Sequence, residues 1–249
     1  MNPTYMAIEF KRQARDVSNV MFVLLLPAAM YLLFGASTAG GEQMAGHANL
    51  KYYVMASMAA YGAVSAVTAI SATAATEQTQ GWGRQIGLTP MRPWQFVLTK
   101  TVVALAFAAV AMVIVYAVGI FTGAKADATW IWWATAAISL GCSAVFALYG
   151  LAAGLLFKSD SAAGVASGAV TFFAFFGNVF IPLAGTMLDI ARFTPMYGMI
   201  GLVRWPVLEG FLADGKREEL WWYIANVVAW TVIFLALALW GVRRSRARR

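Results

Sequence analysis

Six long apolar stretches occupy most of this 249-residue chain and limit what it can fold into. An α-helix needs about 20 apolar residues to cross a hydrocarbon core about 30 Å thick. The stretches predict membrane-spanning helices without Asp, Glu, Lys, Arg or His in their interiors, at Val17–Ala39, Tyr52–Thr76, Thr101–Thr122, Trp130–Phe157, Ala162–Ala184 and Leu220–Val242. Because little chain remains between them, we expect an all-α integral membrane fold with a single transmembrane domain over residues 1–249.

The composition agrees with a membrane environment. The chain is 61% hydrophobic and 12% charged, whereas soluble domains average roughly 45–50% apolar and 25% charged residues. The first stretch follows three basic residues, a pattern that also suits a cleaved signal peptide. Its apolar run from Val20 to Ala36 is longer than the apolar region of such a signal, so we interpret it as a retained helix.

Lys and Arg residues are unevenly divided between the two predicted faces of the membrane. Twelve lie on the face that carries both termini and six lie on the opposite face. Basic residues in short connections favour the cytoplasmic side, so both termini are predicted to be cytoplasmic. The basic carboxyl end also suits anionic lipid headgroups. The net charge of +7 therefore gives no reason to invoke nucleic acid.

The sequence offers no catalytic, cofactor or metal site. Its one cysteine, Cys142, is interpreted as a packing residue, and its one histidine, His47, as an incidental surface residue. A membrane hydrolase needs a nucleophile with a base, paired carboxylates or a metal, and the predicted spans supply none of these. Ion-coupled carriers normally place ionisable groups near the membrane midplane. We therefore expect any uphill transport to draw its energy from a partner.

Small residues dominate the second predicted span. Ala, Ser, Thr and Gly allow helices to approach closely, so this span is expected to face protein or a translocation path. Glycines four residues apart are also typical of tight helix contacts, and they recur at Gly119/Gly123, Gly150/Gly154 and Gly164/Gly168. Packing inside one subunit explains these pairs better than a dedicated dimer seam does.

Two connections between spans carry further signals. Residues 77–94 begin with a carboxylate and contain glycines and prolines, which suits either a short docking helix or a solvated loop with an interfacial tryptophan. Both interpretations stay open. In residues 185–219, Pro195 and Pro206 divide an apolar, helix-like pattern into pieces too short to cross, which predicts membrane-dipping segments. Arg204 and Glu209 are expected to pair there.

Taken together, these features resemble the permease subunits of type-2 ABC exporters, particularly the daunorubicin-resistance-like group. The inner connection is similar in the order of Glu77, Gly81, Arg84, Thr89-Pro90 and Lys100, and the outer segment in Pro182, Pro195, Met196-Tyr197 and Arg204. The chain departs from the group at Gln78, where a second charged residue is common, and at Trp82-Gly83, where an aliphatic residue is common.

The resemblance implies an amino-terminal amphipathic elbow helix over about residues 2–16, a cytoplasmic coupling helix within residues 77–93 and membrane-dipping helices within residues 185–219. ATPase coupling is assigned to Glu77, Gly81, Trp82, Arg84, Gln85, Leu88, Thr89 and Pro90. The elbow is assigned to Glu9, Phe10, Lys11, Arg12 and Arg15, with Asn2 as its cap, Pro3 at its first position, and Met6 and Phe10 facing lipid. Outer re-entrant roles are assigned to Pro195, Tyr197, Arg204 and Glu209.

The resemblance also implies partners and an activity. In a bacterial inner membrane, two permeases, identical or paralogous, would work with ABC ATPase subunits that bind the ATP and magnesium, among membrane lipids. This chain would not be an enzyme on its own. Its substrate would be hydrophobic or amphipathic, such as a drug, a lipid or a lipid-linked molecule, in keeping with multidrug export and antibiotic resistance. A membrane scaffold or lipid-binding module is the alternative, and a channel or secondary carrier is the third possibility.

Overall fold

A computed structural model describes residues 3–37, 40–77, 93–157, 161–212 and 215–246. Within these ranges the chain forms α-helices and one short β-hairpin. The helices are α1 (Pro3–Arg15), α2 (Val17–Tyr31, continued by a π-helix over Leu32–Ala36), α3 (Leu50–Glu77), α4 (Pro93–Phe121), α5 (Thr129–Ser143), α6 (Val145–Phe157), α7 (Ala162–Phe176), α8 (Thr186–Ala191), α9 (Pro195–Leu208) and α10 (Leu220–Arg246). The hairpin pairs β1 (Met44–Ala45) with β2 (Ala48–Asn49).

Four helical stretches in the described ranges are long and apolar enough to cross a membrane. They are Leu50–Glu77, Gln95–Phe121, Thr129–Phe157 and Leu220–Arg244, and shorter apolar helices lie at Val23–Ala36 and Ala162–Phe176. The mostly helical, multi-pass membrane character is therefore confirmed, while the count of six crossings stays a prediction.

The fifth predicted span is wrong in length. Its helix, α7, ends at Phe176 instead of continuing to Ala184. The chain leaves the helix because Asn178 adopts a positive φ of 64°, a left-handed conformation that Asn tolerates better than most residues. The side chain of Asn178 then accepts a hydrogen bond of 2.8 Å from the Leu183 amide. The apolar residues beyond the break therefore have an irregular backbone conformation instead of a helical one.

Helix α3 forms the centre of the molecule. Its apolar window is 94% buried, compared with 17% for α10, and it contacts α2, α4, α5, α6, α7 and α9. This confirms that the small-residue span faces protein. The hydroxyl groups of Tyr52 on α3 and Tyr116 on α4 each lie 2.8 Å from Oγ1 of Thr135 on α5, so one buried threonine joins three helices.

The glycine pairs have different surroundings. A Cβ added at Gly150 would lie 2.5 Å from the Thr68 carbonyl oxygen, and one at Gly154 would lie 2.3 Å from the Ala72 carbonyl oxygen. These two glycines therefore let α6 pack directly on the backbone of α3, which confirms the prediction of packing within one subunit. A Cβ at Gly164 or Gly168 on α7 would meet nothing within 4 Å.

This contrast makes a first prediction. Gly154→Ala is expected to destabilise the protein by about 1–3 kcal/mol, because the added methyl group overpacks against rigid backbone. Gly164→Ala is the matched control and should unfold at the wild-type denaturant concentration or above it. Unfolding of the purified protein in detergent, followed by tryptophan fluorescence, measures both. Equal midpoints for the two variants would contradict the close contact between α6 and α3.

The ends of the bundle can be named from α3. Its amino end follows the hairpin, and its last residue, Glu77, contacts α1; we call these the hairpin end and the α1 end. Asn49 fixes the hairpin end, because its Oδ1 accepts from the amides of Tyr52 (3.0 Å) and Lys125 (2.9 Å). The prediction that Pro206 divides the outer segment is wrong, since Pro206 lies inside α9.

Candidate functional site

Four charged side chains meet at the α1 end of the bundle, and we call them the four-charge cluster: Glu9, Arg12, Glu77 and Lys100. Arg12 Nη2 lies 2.7 Å from Glu9 Oε1 and 2.6 Å from Glu77 Oε1. Lys100 Nζ lies 2.5 Å from Glu9 Oε1 and 2.7 Å from Glu77 Oε2. Each carboxylate therefore contacts both cations, and the charges alternate around a closed ring.

Much of this cluster is removed from solvent. The side chains of Glu9 and Lys100 are 5% and 6% exposed, Glu77 is 14% exposed, and Arg12 is 42% exposed. A buried charge is costly unless it is paired and hydrogen-bonded. The ring satisfies the pairing condition because its two carboxylates and two cations balance, so the α1 end can hold four charges without a net buried charge. Glu77 Oε1 is buried and has the Arg12 ion pair in place of a hydrogen bond.

Three separate helices supply the cluster. Glu9 and Arg12 lie three positions apart on α1, and side chains with this spacing share one helix face. Glu77 is the last residue of α3, and Lys100 lies near the start of α4. The cluster therefore joins α1 to the helices that flank residues 78–92 on both sides.

The electrostatics of the cluster favour the ionised form of Glu9. Burial by itself raises the pKa of Glu9, but hydrogen bonds and charges from Arg12 and Lys100 bring that pKa below its usual value. Burial also raises the pKa of Tyr5, to about 12, and the nearby Glu9 and Glu77 carboxylates add to this rise. Because the pKa of Glu9 is lower in the folded than in the unfolded state, its contribution to stability is present above the unfolded value. That contribution is lost as the pH falls through the folded value.

The coupling and elbow predictions converge on this cluster. Glu77 belongs to it, while the other predicted coupling residues lie outside the described residues: Gly81, Trp82, Arg84, Gln85, Leu88, Thr89 and Pro90. Of the predicted elbow residues, Glu9 and Arg12 are in the cluster, and Lys11 and Arg15 are exposed. Lys100 was singled out only by the resemblance, and no local pattern linked it to α1.

The predicted apolar face of α1, which carries Met6 and Phe10, contacts the bundle. Phe10 is 41% exposed, and its ring lies 4.9 Å from that of Phe107 on α4. The prediction that Met6 faces lipid is wrong, because Met6 packs against an apolar cluster that includes Val23 and Phe107. The face of α1 that carries Met6 therefore packs against the bundle. The predicted cap, Asn2, lies outside the described residues.

At the hairpin end, the expected pair of Arg204 with Glu209 does not form. Residues five positions apart on a helix point about 140° apart, and Glu209 lies beyond the end of α9 with a positive φ of 50°. Glu209 Oε1 instead lies 3.3 Å from His47 Nε2. Arg204 turns into the bundle, where its guanidinium reaches α3 and the chain beyond α7. His47, on the hairpin, therefore has a structural contact that the sequence did not indicate.

The remaining outer residues are held by partners that the sequence did not suggest. Pro195 is the first residue of α9. Tyr197 donates a hydrogen bond to Glu218, whose other carboxylate oxygen lies 2.5 Å from Arg192 Nε. Asn226 of α10 donates to the Arg192 carbonyl over 2.8 Å. These contacts tie α9 and the short helix before it to α10.

A cavity of about 550 Å³ lies between α2, α3 and α7, and we call it the groove. Its walls carry hydroxyl groups and small residues, including Tyr61, Ser65, Thr73, Gly164, Ser167, Gly168 and Thr171. Away from its two ends, α3 is less than fully buried only at Ser65 and Thr73, and both line the groove. Among the described residues that line it, Asp16 is the one charged side chain.

Apolar helices of membrane-spanning length, packed around a central helix that borders a polar groove, define a multi-pass membrane protein. The chain belongs to the ABC-2 transporter family, because the family model described as "ABC-2 family transporter protein" matches residues 37–241. It is also 23% identical over 244 residues to the Bacillus subtilis (strain 168) protein named "Putative transport permease YvfS", with 96% of each chain covered. Members of the family are transporter permeases, generally not enzymes, and they normally work with an ATPase partner.

Proposed function

We propose that this chain is the transmembrane subunit of an ATP-driven exporter in a bacterial inner membrane, with six crossings and both termini in the cytoplasm. The four-charge cluster is the observation that carries the proposal. It joins α1 to both flanks of residues 78–92, the segment to which the family resemblance assigns contact with an ABC ATPase. The α1 end then faces the cytoplasm, and the hairpin end faces outward.

Force enters through this cluster. Partner ATPases bind ATP and magnesium, and their closure pushes on α1 and on the segment between Glu77 and Pro93. Because ion pairs of 2.5–2.7 Å join α1, α3 and α4, these elements move together at this end. Helix α3 then carries the movement through the centre of the bundle to the groove, since its Ser65 and Thr73 form part of the wall.

The groove is the proposed path of the substrate. Its hydroxyl groups can hydrogen-bond a polar group, while Leu26 and Pro27 of α2 offer apolar contacts. This mixture suits a hydrophobic or amphipathic substrate, such as a drug, a lipid or a lipid-linked molecule. The open faces of Gly164 and Gly168 leave room for a second permease subunit, identical or paralogous, so that the substrate passes between two subunits surrounded by lipid.

The test is purification of the tagged chain from its own membranes, followed by reconstitution in liposomes. We expect an ABC ATPase to copurify and the permease to stimulate ATP hydrolysis. Glu77→Lys should abolish this stimulation without preventing membrane insertion, because it adds a third cation beside Arg12 and Lys100. Glu42→Lys is the matched control, since Glu42 pairs with Lys51 on the exposed hairpin end, and it should leave stimulation unchanged.

A rescue variant separates a folding defect from a coupling defect. Exchanging only the charges at positions 77 and 100 would place a cation against Arg12 and a carboxylate against Glu9. Reversing all four charges, as Glu9→Lys, Arg12→Glu, Glu77→Lys and Lys100→Glu, restores the alternation of signs around the ring. Glu77→Lys is expected to lower the melting temperature, because it places three cations around one carboxylate, and the fourfold reversal should recover that temperature. Full stimulation by Glu77→Lys, or solute pumping by the purified chain without any ATPase, would reject the proposal.

A further inference from the structure

Four aromatic rings meet where the groove approaches the hairpin end. The ring of Phe180 lies 5.1 Å from that of Tyr61, 4.7 Å from that of Phe175 and 6.4 Å from that of Phe34. Phe180 is 4% exposed and occupies the centre of this group. We call these four side chains the aromatic plug.

Each helix that borders the groove supplies one of the surrounding rings. Tyr61 is the lining residue of α3 nearest to the hairpin, Phe175 lies one turn beyond Thr171, the last lining residue of α7, and Phe34 lies beyond the lining residues of α2. The hydroxyl groups of Tyr61 and Thr171 also share a hydrogen bond of 2.9 Å. Tyr61 therefore belongs both to the groove wall and to the plug, and the other three rings lie beyond the lining residues on the hairpin side.

Phe180 lies in irregular backbone, and Arg204 of α9 holds that backbone. Arg204 Nη1 donates to the Asn178 carbonyl over 2.7 Å, and Nη2 donates to the Val179 carbonyl over 3.1 Å. Its Nε donates to Ser57 Oγ of α3 over 3.0 Å. One guanidinium thus fixes the two peptide groups that precede Phe180 and connects them to the central helix.

Arg204 is buried, so its hydrogen bonds are made where water is largely excluded. Arg204 is 5% exposed, and its guanidinium carbon lies 4.1 Å from the centre of the Tyr53 ring. None of the ion pairs found in the described part of the chain includes Arg204. Carbonyl groups beyond a helix break need donors when water is excluded. The main role of this cation is therefore to donate hydrogen bonds to the carbonyl groups at the break and to hold the chain in position there.

We propose that Phe180 closes the groove at its hairpin end and that Arg204 is the residue that positions it. The role as an outer closure rests on the proposed export function. Both attachments to α3, the Tyr61 ring and the Ser57 hydroxyl, lie one helical turn apart on the same helix. A displacement of α3 therefore loosens the ring contact and the guanidinium contact together, which couples opening of the groove to the movement that starts at the four-charge cluster.

Cysteine accessibility tests this closure without an ATPase. The chain has one cysteine, so Cys142→Ala gives a cysteine-free background in which Ser167→Cys reports from the groove wall. In proteoliposomes, a membrane-impermeant maleimide is added to the side from which a separate Met44→Cys reporter on the hairpin reacts. Phe180→Ala is expected to raise the labelling rate at position 167 by at least about tenfold, equivalent to about 1.4 kcal/mol in favour of the open groove.

Arg204→Met should raise labelling in the same way, and Arg204→Lys, which keeps the charge but loses the two-carbonyl fork, should give an intermediate rate. Phe172→Ala and Arg217→Met are the controls, because Phe172 is outside the plug with 59% exposure and Arg217 donates to the Glu209 carbonyl instead. Both controls should label like the background.

Unchanged labelling in Phe180→Ala would overturn the proposal, and this variant decides the question if Arg204→Met does not fold. Faster labelling in Phe180→Ala with no change in a folded Arg204→Met would overturn the positioning role of Arg204. The proposed export function fails separately, through absence of a copurifying ATPase, and that result would leave the labelling data and the closure intact.

Discussion

Lys100→Met is expected to lower the free energy of unfolding by about 3–5 kcal/mol, the usual effect of removing one partner from a buried ion pair. Lys100 Nζ contacts carboxylate oxygens of both Glu9 and Glu77. Its loss leaves two carboxylates with Arg12 as their remaining partner in the cluster. For a chain of this length, the midpoint of thermal unfolding should fall by on the order of 10 °C.

Matched variants show whether the effect comes from the buried ring. Lys51→Met removes a cation whose own side chain is 16% exposed and whose partner, Glu42, is 64% exposed. Because one charge of this pair stays in solvent, the pair is expected to contribute about 0–1 kcal/mol, as surface pairs do. Adding Glu9→Gln to Lys100→Met should recover part of the lost stability, because it removes the carboxylate that lost its neighbour. Thermal unfolding in detergent measures all three, and a midpoint for Lys100→Met equal to that of Lys51→Met would show that the ring does not act as a buried network.

The sequence identified members of this ring but could not assemble it. The resemblance predicts Glu9 and Arg12 in an amino-terminal elbow helix and Glu77 in the coupling segment, both on the cytoplasmic face, but it predicts no contact between them. Glu9 and Lys100 are 91 positions apart, and hydropathy contains no information about which helix ends meet. The approach of α1 to the ends of α3 and α4 is a tertiary feature.

The break after α7 was also not predicted, because hydropathy does not report backbone conformation. Hydropathy stays high from Ala162 to Ala184, and a scale that counts apolar residues cannot register a change in backbone dihedral angles. The adjacent Gly177 and Asn178 were the available signal, since both tolerate helix-terminating conformations. Without the break, Arg204 had no visible partner except the nearest carboxylate, and the sequence therefore led to the wrong pairing with Glu209.

The glycine pairs show that spacing alone does not predict which helix packs against a glycine face. Gly150/Gly154 and Gly164/Gly168 have the same spacing in helices of similar composition. One pair packs on the α3 backbone and the other meets nothing within 4 Å. Spacing predicts that a helix face is flat, whereas the partner of that face depends on the arrangement of neighbouring helices.

The open glycine face leads to the second large effect. Gly168→Trp is expected to reduce the proposed export by at least about tenfold, because the indole would fill part of the groove that we propose as the substrate path. The backbone can accept the change, since a Cβ at Gly168 meets nothing within 4 Å. Gly141→Trp is the matched control, because Gly141 has equally open surroundings on α5 but does not line the groove.

The measurement is efflux of a fluorescent amphipathic probe from proteoliposomes or cells that contain the complete transporter, together with ATP hydrolysis. Since Gly168 is not a member of the four-charge cluster, Gly168→Trp should keep the copurified ATPase and its basal hydrolysis while losing efflux. Glu77→Lys should lose permease-stimulated hydrolysis itself. If Gly168→Trp exports the probe at the rate of Gly141→Trp, the substrate does not pass through the groove, and the contact of α3 with that wall has no role in transport.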